Sequence, residues 1–110
     1  MKTVFRKDGG TLDYTPAADI HAGALHVVNG LVCLALWDIP ANTAGTLKVL
    51  QRGEVVEVTT DTALGATAAG TKLYVTSAGA VSKTATDNTL IGVNAAAIVA
   101  NQLTFVVVCA

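Results

Sequence analysis

The stretch AGALHVVNGLVCLAL, residues 22–36, reads as two short β-strands joined at Asn29-Gly30. Asn-Gly is the strongest short hairpin signal, because a two-residue turn of the favoured hand needs positive φ at both central positions. Two further segments share the plan: AGTLKVLQRGEVVEV, residues 44–58, and AGTKLYVTSAGAVSK, residues 69–83. Each opens with Ala-Gly, runs through a short β-branched or alternating strand, and turns at Arg52-Gly53 or Ala78-Gly79. The starts lie 22 and 25 residues apart, a loose internal echo rather than a solenoid period. Three successive hairpins predict an all-β fold, a compact β-sandwich or β-barrel with little helix.

Alternation assigns the faces. Leu47, Val49, Val56 and Val58 can point inward while Lys48 and Glu57 point out, and Leu73 and Val75 oppose Lys72, Tyr74 and Thr76. The closing NQLTFVVVC alternates at first and is continuously apolar from Phe105, the pattern of a strand buried on both faces inside a sheet or an interface. NAAAIVANQ (residues 94–102) and DTALGATAAG (residues 61–70) have helix-like composition but are short and bounded by Gly or Asn, so a loop or a single helical turn is expected there. Pro16 and Pro40 mark loops, since the residue before a proline avoids the helical region.

A chain of 110 residues makes one domain, spanning 1–110, with residues 1–8 as an N-terminal arm. Hydrophobic residues make up 52% but aromatics only 5%, and charged residues only 14%, against about 25% in ordinary soluble domains. Few charges and much small apolar surface suit a chain that covers part of itself with a partner, so a homo-oligomer is expected. The longest apolar runs, LVCLALW, AAAIVA and FVVVCA, fall far short of the roughly 20 residues a membrane-spanning helix needs, and MKTVFRKDGG has no apolar core behind its basic residues. The expectation is therefore no membrane insertion and no secretion signal. A net charge of −1 argues against a nucleic-acid partner. Lys2, Arg6 and Lys7 form too short a basic cluster to change that; a solvated strand end accounts for them. Cys33 and Cys109 sit in apolar runs without metal or redox spacing and read as reduced, buried thiols.

GATAAGTK, residues 65–72, approaches a phosphate-binding loop, but Thr71 precedes Lys72 where Lys must precede the hydroxyl, and LYVTS behind it is a strand by pattern. His21 and His26 lie an odd number apart, hence on opposite faces of a straight strand, and no ligand set with zinc spacing accompanies them. Ser77 and Ser82 lie in no nucleophile elbow, and the aspartates cluster at predicted turns. No catalytic residue, metal site or cofactor is predicted. Trp37 and Tyr14 are large side chains in a chain poor in them: core anchors on the nearer reading, interface hot spots on the functional one.

Taken in order, YTPA (residues 14–17), the Ala-Gly at Gly23, GLVCLALWDIPA (residues 30–41), the Gly53 to Val55 strand, AGTKLYV, TDNTLIGVNAAA (residues 86–97) and a last Val-rich strand resemble the DUF2190 family of phage capsid cement or decoration proteins. The likeness runs along nearly the whole chain. It implies a β-sandwich or barrel that assembles, often as trimers, on the outside of an icosahedral head, bridging neighbouring major capsid subunits. It also implies a virion protein, made in the host cytoplasm, whose partners are the major capsid protein and itself. The same family has carried a recombinase label, which the failed phosphate loop argues against. A host-recognition or tail-associated β module is the rival reading. On the cement reading Lys2, Val4, Phe5 and Arg6 of the arm, with Tyr14 and Trp37, are the interface candidates, and the arm is expected to pair as an added strand with a capsid edge.

Overall fold

The computed structural model describes residues 10–110. They form nine strands and, within those residues, no helix: β1 (Thr11–Tyr14), β2 (Leu25–Val28), β3 (Leu31–Ala35), β4 (Gly45–Val49), β5 (Val55–Thr59), β6 (Lys72–Val75), β7 (Val81–Ser82), β8 (Thr89–Asn94) and β9 (Thr104–Cys109). Two antiparallel sheets result, a four-stranded one in the order β1-β4-β3-β2 and a five-stranded one in the order β5-β9-β8-β6-β7. The fold is all-β, as expected, and both Ala-rich stretches are loops.

Two of the three expected hairpins form. Asn29 and Gly30 adopt φ of 50° and 80° and join β2 to β3; the Ala78-Gly79 turn joins β6 to β7. The third does not. The chain does turn at Gln51 to Glu54, where the Glu54 N–H donates to the Gln51 carbonyl at 3.1 Å. Yet β4 pairs with β1 and β3 while β5 pairs with β9. Arg52-Gly53 is thus a crossover between sheets, so Leu47 and Val49 enter a different core from Val56 and Val58.

The crossover separates two units that share a four-strand Greek-key order, β1-β4-β3-β2 in the first and β5-β9-β8-β6 in the second, where β7 is added as an edge strand beside β6. The correspondence extends to single hydrogen bonds. Ile20 and Ile39 exchange backbone bonds of 2.9 and 2.8 Å between the two loops of the first unit, as Thr67 and Ile98 do in the second, at 2.9 and 2.8 Å. Gly23 donates to the Ala35 carbonyl as Gly70 does to that of Asn94, and the Pro40–Thr43 turn recurs as Val99–Gln102. Ile39-Pro40-Ala41-Asn42 and Ile98-Val99-Ala100-Asn101 are the clearest trace of this repeat in the sequence. Of the three Ala-Gly openings only those at Ala22 and Ala69 are equivalent; Ala44-Gly45 leads into a different strand of the unit.

The units stack rather than face each other symmetrically. Val32, with Leu25 and Val27, packs from the four-stranded sheet onto Leu73, Val75, Ile91, Phe105, Val107 and Cys109 of the five-stranded one. The opposite face of the four-stranded sheet carries a second core of Cys33, Ala35 and Leu47, roofed by Ile20 and Ile39. Asp19 and Asp38 hold that roof: each accepts, at 2.7 Å, a backbone N–H from the facing loop, of Ala41 and Ala22 respectively.

Both cysteines are free and buried, one in each core. Burial pushes both thiols above their ordinary value of 9.0, with Glu54 adding to the shift at Cys109. A thiol held protonated in the fold stabilises it fully below the unfolded-state pKa, and that stability is lost as pH climbs towards the raised folded value. The melting temperature is therefore expected to fall above a pH of about 9, and to fall less in a Cys33→Ala/Cys109→Ala double variant compared with its own neutral-pH value. Melting curves from neutral to alkaline pH check this; equal slopes would refute it.

Candidate interaction surface

Strand register identifies one sheet face that nothing in the described chain covers. Across the five-stranded sheet Val55 lies opposite Val108, Val108 opposite Val93 and Val93 opposite Lys72; in the neighbouring rows Glu57 faces Val106 and Tyr74 faces Leu90. Cross-strand partners share a face, and the 3.0 Å contact between the Thr59 and Thr104 hydroxyls confirms it for the next row. Phe105, Val107 and Cys109, alternating with these residues along β9, point the other way into the core. The outward face therefore combines Val55, exposed by 64%, with Leu90, Val106 and the half-buried Val93, Val108 and Tyr74; Glu57 and Lys72 are its charges.

This corrects one expectation about β9. The run FVVVC does supply two apolar faces, but only the inner one is buried; Val106 remains 38% exposed. A continuous apolar run shows that both faces are fit for burial, not that both are covered. The repeat sharpens the point. The counterparts of Val93 and Tyr74 in the first unit are Leu34 and Val27, on the face that stacks against the second unit. One copy of this face is used inside the molecule; the other lies open.

A second exposed feature is the loop after β3. Leu36 and Trp37 are 47% and 64% exposed, so Trp37 is no core anchor. The bridge of Ile39 to Ile20, just beyond, fixes the loop's base. In the equivalent loop of the second unit Val99 and Leu103 are exposed. Tyr14 does take part in packing. It lies against the second core, its ring centroid 5.2 Å from that of His26 and its hydroxyl 3.3 Å from the His26 Nε2. Lys2, Val4, Phe5 and Arg6 lie outside the described residues. The sequence singles out Trp37 as a large side chain, whereas Val55, Leu90, Val93 and Val106 share one surface only through strand pairing.

The loop that approached a phosphate-binding sequence is occupied by its own contacts. The Thr71 N–H donates to the Asn94 Oδ1 at 2.8 Å, the Thr71 hydroxyl donates to the Ala68 carbonyl at 2.7 Å, and the Gly70 N–H donates to the Asn94 carbonyl. Strand β6, not a helix, follows it. Among the described residues no group of three or more His, Cys, Asp or Glu could hold a metal ion. Compared with known proteins, the chain matches no curated protein and no solved structure. Against protein families, residues 6–109 match the phage cement proteins. With the match running over nearly its whole length, the chain belongs to the phage cement protein family.

Proposed function

We propose that the protein binds the outer surface of an icosahedral phage head as a homo-oligomer, a trimer in this reading, and stabilises the head by bridging neighbouring major capsid subunits. The observation that carries the reading is the uncovered outer face of the five-stranded sheet, whose counterpart in the first unit is buried inside the molecule. Such a face gains most from a protein partner of matching shape. Trp37, exposed on the first unit, is a second contact point in this reading, and Tyr14 contributes less, since its ring already leans on His26. Lys2, Val4, Phe5 and Arg6 complete the interface set, which takes in contacts between copies as well as contacts with the capsid. No catalytic residue or cofactor is needed: a protein that binds only the assembled lattice lowers that state's free energy at every occupied site, and small gains sum over the shell.

In purified source particles the protein should stand in a simple stoichiometric ratio to the major capsid subunit, measured by quantitative mass spectrometry. A handful of copies per particle would instead place it at the tail or a vertex, as a host-recognition module. In a binding assay with heads lacking the protein, Trp37→Ala is expected to weaken affinity by about 2 kcal/mol, roughly 30-fold. Its melting temperature should hardly change, because the side chain is exposed. Undiminished binding would remove Trp37 from the interface.

A further inference from the structure

Strand β5 is an edge of the five-stranded sheet. The bonds from the Cys109 N–H to the Glu54 carbonyl and from the Thr60 N–H to the Leu103 carbonyl set the phase of its ladder with β9. By antiparallel alternation the backbone groups of Val55, Glu57 and Thr59 then turn away from β9. Beside this edge a cleft of about 620 Å³ separates β5 from the turn before β7. Leu25, Leu34, Val56, Val58 and Val81 line it with apolar surface, and among the described residues Asp61 and Glu57, whose side chain stands on the outer face, are the charged residues at it. Open backbone, an apolar lining and acidic charge together suit an extended, partly apolar, basic segment.

The chain supplies such a segment. MKTVFRKD, residues 1–8, holds Lys2, Arg6 and Lys7 around Val4 and Phe5. We propose that the N-terminal segment of one copy docks as an added strand on the β5 edge of a second copy, with Phe5 entering the cleft and Arg6 beside Glu57. Period-two alternation makes these placements compatible: with Phe5 inward, Val4 and Arg6 point to the outer face that carries Val55 and Glu57. Reach sets a condition: with Phe5 in the cleft, the stretch back to Gly10 can span at most about 17 Å, so the β5 edge of the second copy must lie that close to Gly10 of the first. Charge disfavours the alternative of β5 pairing with another β5 about its centre, which sets Glu57 directly opposite its own copy. The contact is head-to-tail, the kind that closes into a ring when its rotation permits. This inference needs no capsid and stands apart from head binding.

The test uses protein lacking residues 1–8, shown to be folded by its melting curve, and a fluorescent peptide of sequence MKTVFRKDG. Saturable binding is expected in fluorescence anisotropy. A peptide with Phe5→Ala should bind about tenfold more weakly for the lost apolar burial. Glu57→Pro removes an edge N–H without touching the β9 ladder and should weaken binding about tenfold as well. Ala80→Phe, which narrows the cleft from its opposite wall, serves as a second variant should Glu57→Pro melt early. The full chain should associate in sedimentation, and the truncated chain should not. Absence of peptide binding, binding indifferent to both variants, or a full chain that stays monomeric although the peptide binds would each overturn the proposal. So would peptide that binds empty capsid shells and not the truncated protein.

Discussion

Replacing Gly92 by alanine is expected to lower stability by about 4 kcal/mol or more, a fall of roughly 20 °C in melting temperature, or to prevent folding altogether. Gly92 lies in β8, between Leu73 of β6 and Cys109 of β9. A Cβ there would run into the backbone carbonyl of Val108, with the Cys109 Cα 2.9 Å away. Its φ is not in the left-handed region, so space rather than conformation excludes a side chain. The obstacle is backbone of the neighbouring strand β9, which no rotamer change relieves. Strands β8 and β9 would have to separate, opening the core that holds Val107 and Phe105. Calorimetric melting of the variant checks this, and an unchanged midpoint would mean that the two strands part without cost.

Asn94→Ala is the second large effect. Asn94 is 1% exposed, among the most buried side chains of the molecule. Its Oδ1 accepts the Thr71 N–H at 2.8 Å, and its Nδ2 donates to the Ala68 and Ala96 carbonyls at 2.9 and 2.8 Å. One side chain thus ties together the two loops of the second unit. Among the described residues no buried side-chain polar atom lacks a partner, so the native network is complete. Alanine would leave one N–H and two carbonyls without that partner, at a cost of about 3–4 kcal/mol, roughly 15–20 °C in melting temperature. Hydrogen exchange should accelerate first around residues 68–71 and 95–98. A loss below about 1 kcal/mol would show that water replaces the amide freely.

The two units solve this problem with different residues. Asn94 corresponds to Ala35 in the first unit, where the loops are instead held by Asp19 and Asp38. The repeat is therefore carried by backbone bonding, which many side chains satisfy, and this is why it shows in the sequence only as a short echo. The same reasoning explains the misplaced hairpin. Arg52-Gly53 has the local chemistry of a tight turn, and a tight turn serves equally to reverse a chain within a sheet or to pass it to another. Nothing within three residues of the turn distinguishes the outcomes; the strands available for pairing, β1 and β9, lie far away along the chain.

By itself the sequence determined the all-β class, the Asn29-Gly30 and Ala78-Gly79 hairpins, the inward faces of β4, β5 and β6 and the absence of phosphate-loop order at Thr71-Lys72. These properties follow from period-two alternation and turn stereochemistry, which act over a few residues. Only the tertiary structure decided that β4 and β5 belong to different sheets, that Trp37 is exposed, and that Val55, Leu90, Val93 and Val106 share one open surface. Burial is a relation between two surfaces, and residues far apart in the chain meet only when the strands pair. An apolar face in sequence is a capacity for contact, and the stacking of the two units uses that capacity once inside the molecule and leaves it open on the outside.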